Sequence, residues 1–324
     1  MALASIFPNS PGLVVIDISE NSCAETPIVK VAPSPLREAA TWSVERIAAG
    51  VAAVVGKREV GNFAILMYHR VTETYPGKAT PTYNVTPRHF RAQLAGLLSR
   101  GYEPWPLARL LVATRERLPI PKHVFAVTFD DGYENNLLNA LPILRDLGIP
   151  ATVFLTTGFL GSRNAFPSDV WSLAGSPEVP PTSWRLLTID QCHELQDSGL
   201  IELGAHTHTH GNFKHNLPGF REDLNLSVGF LSETFGISSP SFAFPFGFAT
   251  AEMIDVARAS GVSCALSTRH ECIRPGTDPF HWGRFNVRDS DTPATLAAKI
   301  DGWYTVVAGV ARSIKAPLSA IPGL

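Results

Sequence analysis

Two adjacent carboxylates follow an apolar run in the middle of this chain. Residues 125–133 read Phe-Ala-Val-Thr-Phe-Asp-Asp-Gly-Tyr, so Asp130 and Asp131 stand where the apolar run ends. An ionised carboxylate is costly to bury without a partner, so two such charges contribute little to packing. The pair makes chemical sense if one carboxylate binds a cation while the other takes up a proton.

A second segment supplies imidazole groups, because residues 206–210 read His-Thr-His-Thr-His. Residues i and i+4 share a face in a helix and in a strand, so His206 and His210 reach one point in either conformation. His208 joins them only if the segment is extended. Two imidazoles and a carboxylate are suitable ligands for zinc, cobalt, nickel or iron.

Each segment also has a simpler interpretation. The histidines fit a solvated loop rich in His and Thr, and Asp130 with Asp131 fits a helix N-cap beside a surface charge. The apolar run before the aspartates and Gly132 after them, which lets the backbone turn sharply, favour a functional site.

Strand-like and helix-like segments alternate from residue 62 onward. The predicted strands cover residues 64–69, 124–129, 151–156, 201–204, 241–244, 264–267 and 284–287. One predicted helix begins at Thr86–Pro87, with the proline at its first helical position. The other predicted helices cover residues 136–147, 188–198, 224–235, 250–260 and 293–310. This alternation predicts βαβ units with parallel pairing. Six or seven repeats of the unit favour a closed barrel, and the lack of GxGxxG after the first strand argues against a dinucleotide fold.

In β/α barrels the catalytic groups lie at the carboxyl ends of the strands. Polar or turn-forming residues follow several of the predicted strands, and we expect these to meet at one rim: His69, Asp130, Asp131, His206 and residues 245–247.

Composition limits the partners. The formal net charge is −2, with no basic footprint, so nucleic acid is not an expected partner. No run of about 20 apolar residues exists, so no transmembrane helix is predicted. The N-terminus has no basic n-region followed by an apolar stretch, and a cytoplasmic location is expected.

The four cysteines form no CxxC pair, and free thiols are favoured over a Cys264–Cys272 bridge. Oligomeric state is left open.

Residues 1–60 differ from the rest, with several prolines near the start. They predict a partly ordered N-terminal extension with one amphipathic helix over residues 38–55. The barrel domain is expected over residues 61–324.

Four short segments resemble the motifs of one enzyme family. Thr-Phe-Asp-Asp-Gly at 128–132 resembles the first motif of polysaccharide deacetylases, the NodB-homology or carbohydrate esterase family 4 group. Residues 206–210 resemble the second motif, and Phe-Pro-Phe-Gly at 244–247 the third. Leu-Met-Tyr-His-Arg-Val at 66–71 resembles the opening of the subgroup that acts on exopolysaccharides. The similarity covers about residues 62–290.

The resemblance implies a distorted (β/α) barrel, commonly of seven strands. It implies a metal-dependent hydrolase that removes acetyl groups from N-acetylated, or less often O-acetylated, amino sugars of a polysaccharide or glycan precursor. Asp130 would be the general base, and Asp131, His206 and His210 would bind the metal, with zinc as first choice. The backbone N–H of Phe246 would help to hold the oxyanion.

Two departures from the family pattern matter. An arginine usually stands two residues before the proline of the third motif, where this chain has Ala243. We expect Arg70 or Arg284 to orient Asp130 instead. The family's late Leu-x-His motif is also absent after residue 250. We therefore assign His69, at the end of the first predicted strand, as the general acid, with a packed rim histidine as the alternative.

Several aromatic residues and one proline are candidate walls for a sugar ring, and residues 161–184 predict a long loop over the rim. The candidate substrate-binding residues are Tyr133, Pro245, Phe246 and Trp282, with Trp171 and Phe248 as further aromatic walls.

Two rival functions stay open: a same-fold amidase acting on a non-sugar amide, and a catalytically silent glycan-binding barrel. Retention of both Asp130 and Asp131 disfavours the silent barrel.

Overall fold

The computed structural model describes residues 35–57, 62–78, 80, 81, 83–162, 166, 171 and 178–315. The predictions for residues 1–34, including the argument about an export signal, lie outside the described residues. Much of the predicted loop 161–184 lies outside them as well.

A parallel β-sheet forms the centre of the molecule. The strands are β1 (Phe63–Tyr68), β2 (Arg70–Val71), β3 (Asn84–Val85), β4 (Glu103–Pro104), β5 (Val124–Phe129), β6 (Ala151–Leu155), β7 (Ile201–Ala205), β8 (Ser241–Ala243), β9 (Cys264–Leu266) and β10 (Phe285–Asn286). The main sheet runs in the order β10-β1-β5-β6-β7-β8-β9, with β4 added beside β5, while β2 and β3 form a separate pair. Every pairing between two of these strands is parallel, as the βαβ pattern predicts.

The sheet curls until its two edges approach each other. Leu266 in β9 forms a parallel bridge with Trp282, shortly before β10. The N–H of Ser267 also donates to the carbonyl of Trp282, at 2.8 Å. Because β9 and β10 are the opposite edges of the sheet, this contact nearly closes it. The prediction of a distorted seven-stranded barrel is confirmed.

Helices surround the sheet. They are α1 (Pro35–Val55), α2 (Pro87–Leu98), α3 (Leu107–Arg115), α4 (Leu141–Leu147), α5 (Ile189–Asp197), α6 (Leu217–Phe235), α7 (Ala251–Ala259), α8 (Pro293–Ile300) and α9 (Trp303–Lys315). The predicted helix over residues 38–55 is confirmed as part of α1. No helix among the described residues is long and apolar enough to cross a membrane.

Capping chemistry explains where two of the helix predictions failed. The α6 helix begins at Leu217 and not at residue 224, because the side chain of Asn216 caps it by accepting from the N–H of Gly219. The predicted helix over residues 293–310 divides into α8 and α9 at Gly302, whose φ of 77° is left-handed. Such a backbone ends a helix and suits glycine, which has no Cβ.

Side chains on the strands point alternately into two cores. Ala64, Leu66 and Tyr68 of β1 join the larger cluster, between sheet and helices. Phe63 and Ile65 join a second cluster with residues from other strands, which lies inside the curled sheet. A strand has a side-chain period of two, so each barrel strand supplies both cores.

The N-terminal helix α1 packs against α8 and α9. Glu45 of α1 lies 3.0 Å from the ammonium group of Lys299, and Asp291 lies 2.8 Å from it on another side. Lys299 also donates to the carbonyl of Asn286 in β10, at 3.1 Å. All three charged residues are buried, so this ion triad ties α1 to the barrel wall.

Cysteine chemistry follows the prediction where the structure describes it. Cys192 and Cys264 are free thiols, so the alternative Cys264–Cys272 bridge is not formed. Cys23 lies outside the described residues.

We expect Lys299→Met to lower the free energy of unfolding by about 3–5 kcal/mol, because it leaves two buried carboxylates without their shared cation. Chemical denaturation measures this change. The control is Arg91→Ala, which removes an exposed ion pair with Asp146 and should change stability by about 0–1 kcal/mol. Equal effects of the two substitutions would show that the buried triad does not stabilise the fold.

Candidate active site

The polar residues that follow separate strands meet at one rim of the barrel. Asp130 and Asp131 follow β5, and His206 follows β7. The Nε2 of His206 lies 4.0 Å from Asp130 Oδ2 and 3.4 Å from Asp131 Oδ1. The Nε2 of His210 lies 3.3 Å from the same oxygen of Asp131. The predicted meeting of these four side chains is therefore confirmed, and all four are buried.

Three of these residues form a candidate metal centre. One ligand atom each of Asp131, His206 and His210 lies within 4.8 Å of the others. The Nδ1 of His206 lies 2.8 Å from the carbonyl oxygen of Ala243. A carbonyl can only accept, so Nδ1 carries a proton, and Nε2 is the ring nitrogen that faces Asp131 and could bind a metal. In metal sites, a histidine ligand is oriented by a hydrogen bond of this kind, made by the ring nitrogen that does not bind the metal. Two imidazole nitrogens and one carboxylate oxygen fit a divalent metal such as zinc, with positions left for water and substrate.

His208 does not belong to this group. Its Nδ1 lies 3.0 Å from the hydroxyl of Thr157, so its ring is directed to another part of the loop. The structure thus settles which two of the three histidines face Asp131.

Backbone strain is concentrated around the same point. Asp131 (φ 73°), Thr207 (φ 63°), His210 (φ 56°) and Phe246 (φ 58°) all have left-handed backbones. Each such non-glycine residue costs about 1–3 kcal/mol and persists only where its surroundings hold it. Gly132 turns with φ 76°, and a Cβ there would lie 2.9 Å from the Leu155 side chain, so the predicted sharp turn requires glycine.

Asp130 is held by Arg284 through two hydrogen bonds. Nη1 donates to Oδ1 at 2.6 Å and Nη2 donates to Oδ2 at 2.8 Å, and both side chains are buried. Burial raises the pKa of Asp130, but the charge of Arg284, with His206 and His69, outweighs it and brings the pKa to about 2. The carboxylate is therefore ionised at neutral pH and able to accept a proton.

The interior packing explains how Arg284 takes the place of an arginine at 243. Ala243 belongs to the cluster inside the curled sheet, together with Phe154. Its methyl group occupies little of that space. Arg284 lies over the ring of Phe154, 5.5 Å from its centroid, and reaches Asp130 from β10's side of the barrel. The prediction of Arg284 is confirmed.

The other predicted arginine, Arg70, does not hold Asp130. It donates instead to the hydroxyl of Tyr133 at 2.7 Å, and its guanidinium lies 4.2 Å from the centroid of that ring. The prediction of Arg70 as an alternative partner is wrong, because its side chain is committed to this contact.

His69 directly follows β1 and lies beside the aspartates. The N–H of Asp130 donates to the carbonyl of Tyr68 at 3.0 Å, which sets His69 at the level of Asp130. The ring of His69 is buried and stacks on Tyr83, with centroids 4.4 Å apart and planes 16° apart. The later histidines make other contacts: His270 lies 3.3 Å from the hydroxyl of Tyr304, and His281 pairs with Asp278 at the surface.

The predicted substrate contacts lie in different environments. Phe246 is partly exposed and packs on His210, with ring centroids 4.7 Å apart. Pro245 beside it is buried, and Tyr133 is only 2% exposed. Trp282 is 0% exposed and packs edge-on against Phe63 inside the barrel. The structure makes Trp282 a core residue, which corrects its prediction as a substrate contact.

Sequence reasoning missed two residues of this site. Phe166 packs on His210 with centroids 5.2 Å apart, and Tyr83 stacks on His69. Phe166 lies in the loop predicted over residues 161–184, and Tyr83 lies outside every predicted strand and helix. The sequence contains no pattern that would have selected them from the other aromatic residues.

Known proteins resemble this chain in sequence over most of its length. The poly-beta-1,6-N-acetyl-D-glucosamine N-deacetylase of Staphylococcus epidermidis is 25% identical over 266 residues, which cover 76% of this chain and 86% of that protein. The protein of the same name from Staphylococcus aureus is 25% identical over 258 residues, covering 74% and 83%. A sequence model described as polysaccharide deacetylase matches residues 118–265. Residues 118–265 therefore form a polysaccharide deacetylase domain. This deacetylase is thus a hydrolase, and the resemblance of its four motifs is confirmed.

Solved structures resemble the deacetylase in fold. IcaB from Ammonifex degensii superposes with a TM-score of 0.60 and 26% identity, covering 77% of this chain and 97% of that one. The deacetylase PplD of Streptococcus pyogenes superposes with a TM-score of 0.62 over 74% of this chain and 98% of that one, at 20% identity. The second likeness supports the fold alone.

We expect Arg284→Gln to move the acidic limb of the kcat/KM pH profile upward by about 1–3 pH units. Loss of the guanidinium leaves burial to raise the pKa of Asp130, so the carboxylate becomes protonated at a higher pH. Arg284→Lys keeps the charge but loses the paired hydrogen bonds and should cause a smaller shift. An unchanged limb in Arg284→Gln would show that another group sets the ionisation of Asp130.

Proposed function

We propose that this deacetylase removes N-acetyl groups from a polymer of β-1,6-linked N-acetylglucosamine. The names of the Staphylococcus relatives support this substrate, and their similarity spans most of both chains. The observation that carries the proposal is the buried meeting of Asp131, His206 and His210 beside an ionised Asp130. A glycan-binding barrel without activity would have no use for an arginine-paired base at that point.

In this proposal Asp131, His206 and His210 hold a divalent cation, with zinc favoured by the donor set. When bound, such a cation acidifies a water molecule and polarises the acetyl carbonyl. The three ligand side chains are buried, so their orientation is fixed before substrate arrives.

Asp130 is the proposed general base. It accepts the proton of the attacking water, whose oxygen forms the new bond to the acetyl carbon. Arg284 holds both carboxylate oxygens, keeps the group ionised and fixes its direction. The N–H of Phe246, a residue with a left-handed backbone whose ring packs on His210, is the proposed donor to the oxyanion.

His69 is the proposed general acid. As the carbon–nitrogen bond breaks, its ring gives a proton to the departing sugar amine, and acetate is the other product. The stacked ring of Tyr83 limits rotation of His69 and keeps it directed at the rim. This assignment places acid and base on the neighbouring strands β1 and β5.

We expect Asp130→Asn to lower kcat by about 10²–10⁴-fold, since an amide cannot take up the proton. The assay measures acetate released from β-1,6-linked N-acetylglucosamine oligomers. A chelator should abolish release from the unmodified protein, and added zinc or cobalt should restore it. Binding of the oligomer without acetate release would refute the enzymatic proposal. Release from β-1,4-linked chitin oligomers alone would refute the proposed linkage.

His69→Ala should lower kcat by about 10²–10⁴-fold and remove the basic limb of its pH profile. The matched control is His281→Ala, which removes a histidine exposed at the surface beside Asp278. That control should keep near-normal turnover. A His69→Ala variant with turnover equal to the control would make His69 a packed rim residue.

A further inference from the structure

The loop that carries the two ligand histidines is anchored by one buried carboxylate on a neighbouring helix. We call residues 206–210 the ligand loop. Asp223 lies in α6 and is only 7% exposed. Its Oδ2 accepts from the N–H of His208 at 2.7 Å and from the N–H of Thr209 at 3.0 Å. Its Oδ1 accepts from the hydroxyl of Thr209 at 2.8 Å.

The ligand loop needs such support because its backbone is strained. Thr207 and His210 both have left-handed φ values, of 63° and 56°. At about 1–3 kcal/mol each, this conformation would relax if the surrounding contacts did not hold it. Because His210 itself is one of the strained residues, relaxation would move its Nε2 away from Asp131.

The other contacts hold the two sides of the loop differently. The N–H of His210 donates to the hydroxyl of Thr207 at 3.1 Å, a bond made within the loop. The N–H of Gly158 donates to the carbonyl of His208 at 2.8 Å, and that of Thr157 to the carbonyl of Thr207 at 3.3 Å. These bonds fix carbonyl groups on one side. Asp223 accepts from the N–H groups of His208 and Thr209, which lie between the two ligand histidines, and so holds the donor groups of the loop.

We propose that Asp223 is a positioning residue that holds the ligand loop in its metal-binding conformation. The inference rests on the proposed metal site, but it concerns a residue that does not touch the metal. Because the loop is already ordered, binding of the cation does not have to order it. Without Asp223, part of the binding free energy would be used to order the loop, and the affinity for metal would fall.

The chemistry of a carboxylate suits this role. Its two oxygens accept three hydrogen bonds from donors that point at one place. Asparagine has nearly the same shape but no charge and only one acceptor oxygen, so its bonds to the two N–H groups would be the weaker, uncharged kind. Asp223→Asn therefore weakens the anchor with little change of packing. Thr209→Val is a second variant that removes only the hydroxyl bond.

The test measures zinc affinity of the full chain by competition with a chelator of known affinity. We expect Asp223→Asn to weaken binding by about 10–100-fold, the usual effect of losing an outer contact of a metal site. Thr209→Val should weaken it less. The matched control is Glu222→Gln, which changes an exposed neighbour on the same helix and should leave the affinity unchanged.

A second measurement is made without metal, by amide hydrogen exchange. The N–H groups of His208 and Thr209 should exchange slowly in the unmodified protein and faster in Asp223→Asn, while the core strands stay protected. If the unmodified protein binds no zinc, the proposed metal site fails, and exchange still decides whether Asp223 holds the loop. Zinc affinity equal to that of the control, or unchanged exchange of these two amides, would overturn the proposal. Should Asp223→Asn not fold, Thr209→Val decides by the same two criteria.

Discussion

A buried aspartate can remain a base only if a cation stands beside it, and the contact between Arg284 and Asp130 meets that requirement. The two hydrogen bonds, at 2.6 and 2.8 Å, hold the carboxylate ionised against the effect of burial. Asp131 next to it is then able to serve a different purpose, facing His206 and His210. Without the arginine, the two adjacent carboxylates would compete for protons and the division of roles between them would be lost.

The barrel makes this contact through its inner face. Arg284 leads into β10 while Asp130 follows β5, and β1 lies between these strands in the sheet. Ala243, across the interior, contributes only a methyl group where related enzymes usually have arginine. The guanidinium that the family resemblance places at position 243 is supplied in this chain by Arg284. A curled parallel sheet permits this exchange, since every inward side chain near the rim has access to the same small space.

Short motifs and their order in the sequence indicate the chemistry of the site. Asp130, Asp131, His206 and His210 follow apolar runs whose lengths and β-rich composition define strands, and the carboxyl ends of parallel strands meet at one edge. The predicted helix boundaries are wrong where local signals compete. Asn216 begins α6 earlier than the apolar periodicity indicates, and Gly302 interrupts a pattern that reads as one helix. The sequence also makes Trp282 a candidate substrate contact, because it does not distinguish an aromatic residue that lines a groove from one that fills a core.

The alternation of strands and helices, the paired aspartates, the histidine segment and the motif resemblance can be recognised in the sequence alone, because each depends on residues close together in the chain. The folded chain is needed to show which arginine holds Asp130, which histidines face Asp131, and that Asp223 accepts hydrogen bonds from the loop between them. These contacts join residues far apart in sequence, and their geometry depends on the curl of the sheet and on φ values that no local pattern specifies. The ion triad of Glu45, Lys299 and Asp291 could not be predicted for the same reason, because the sequence does not show that these three charged residues are buried together.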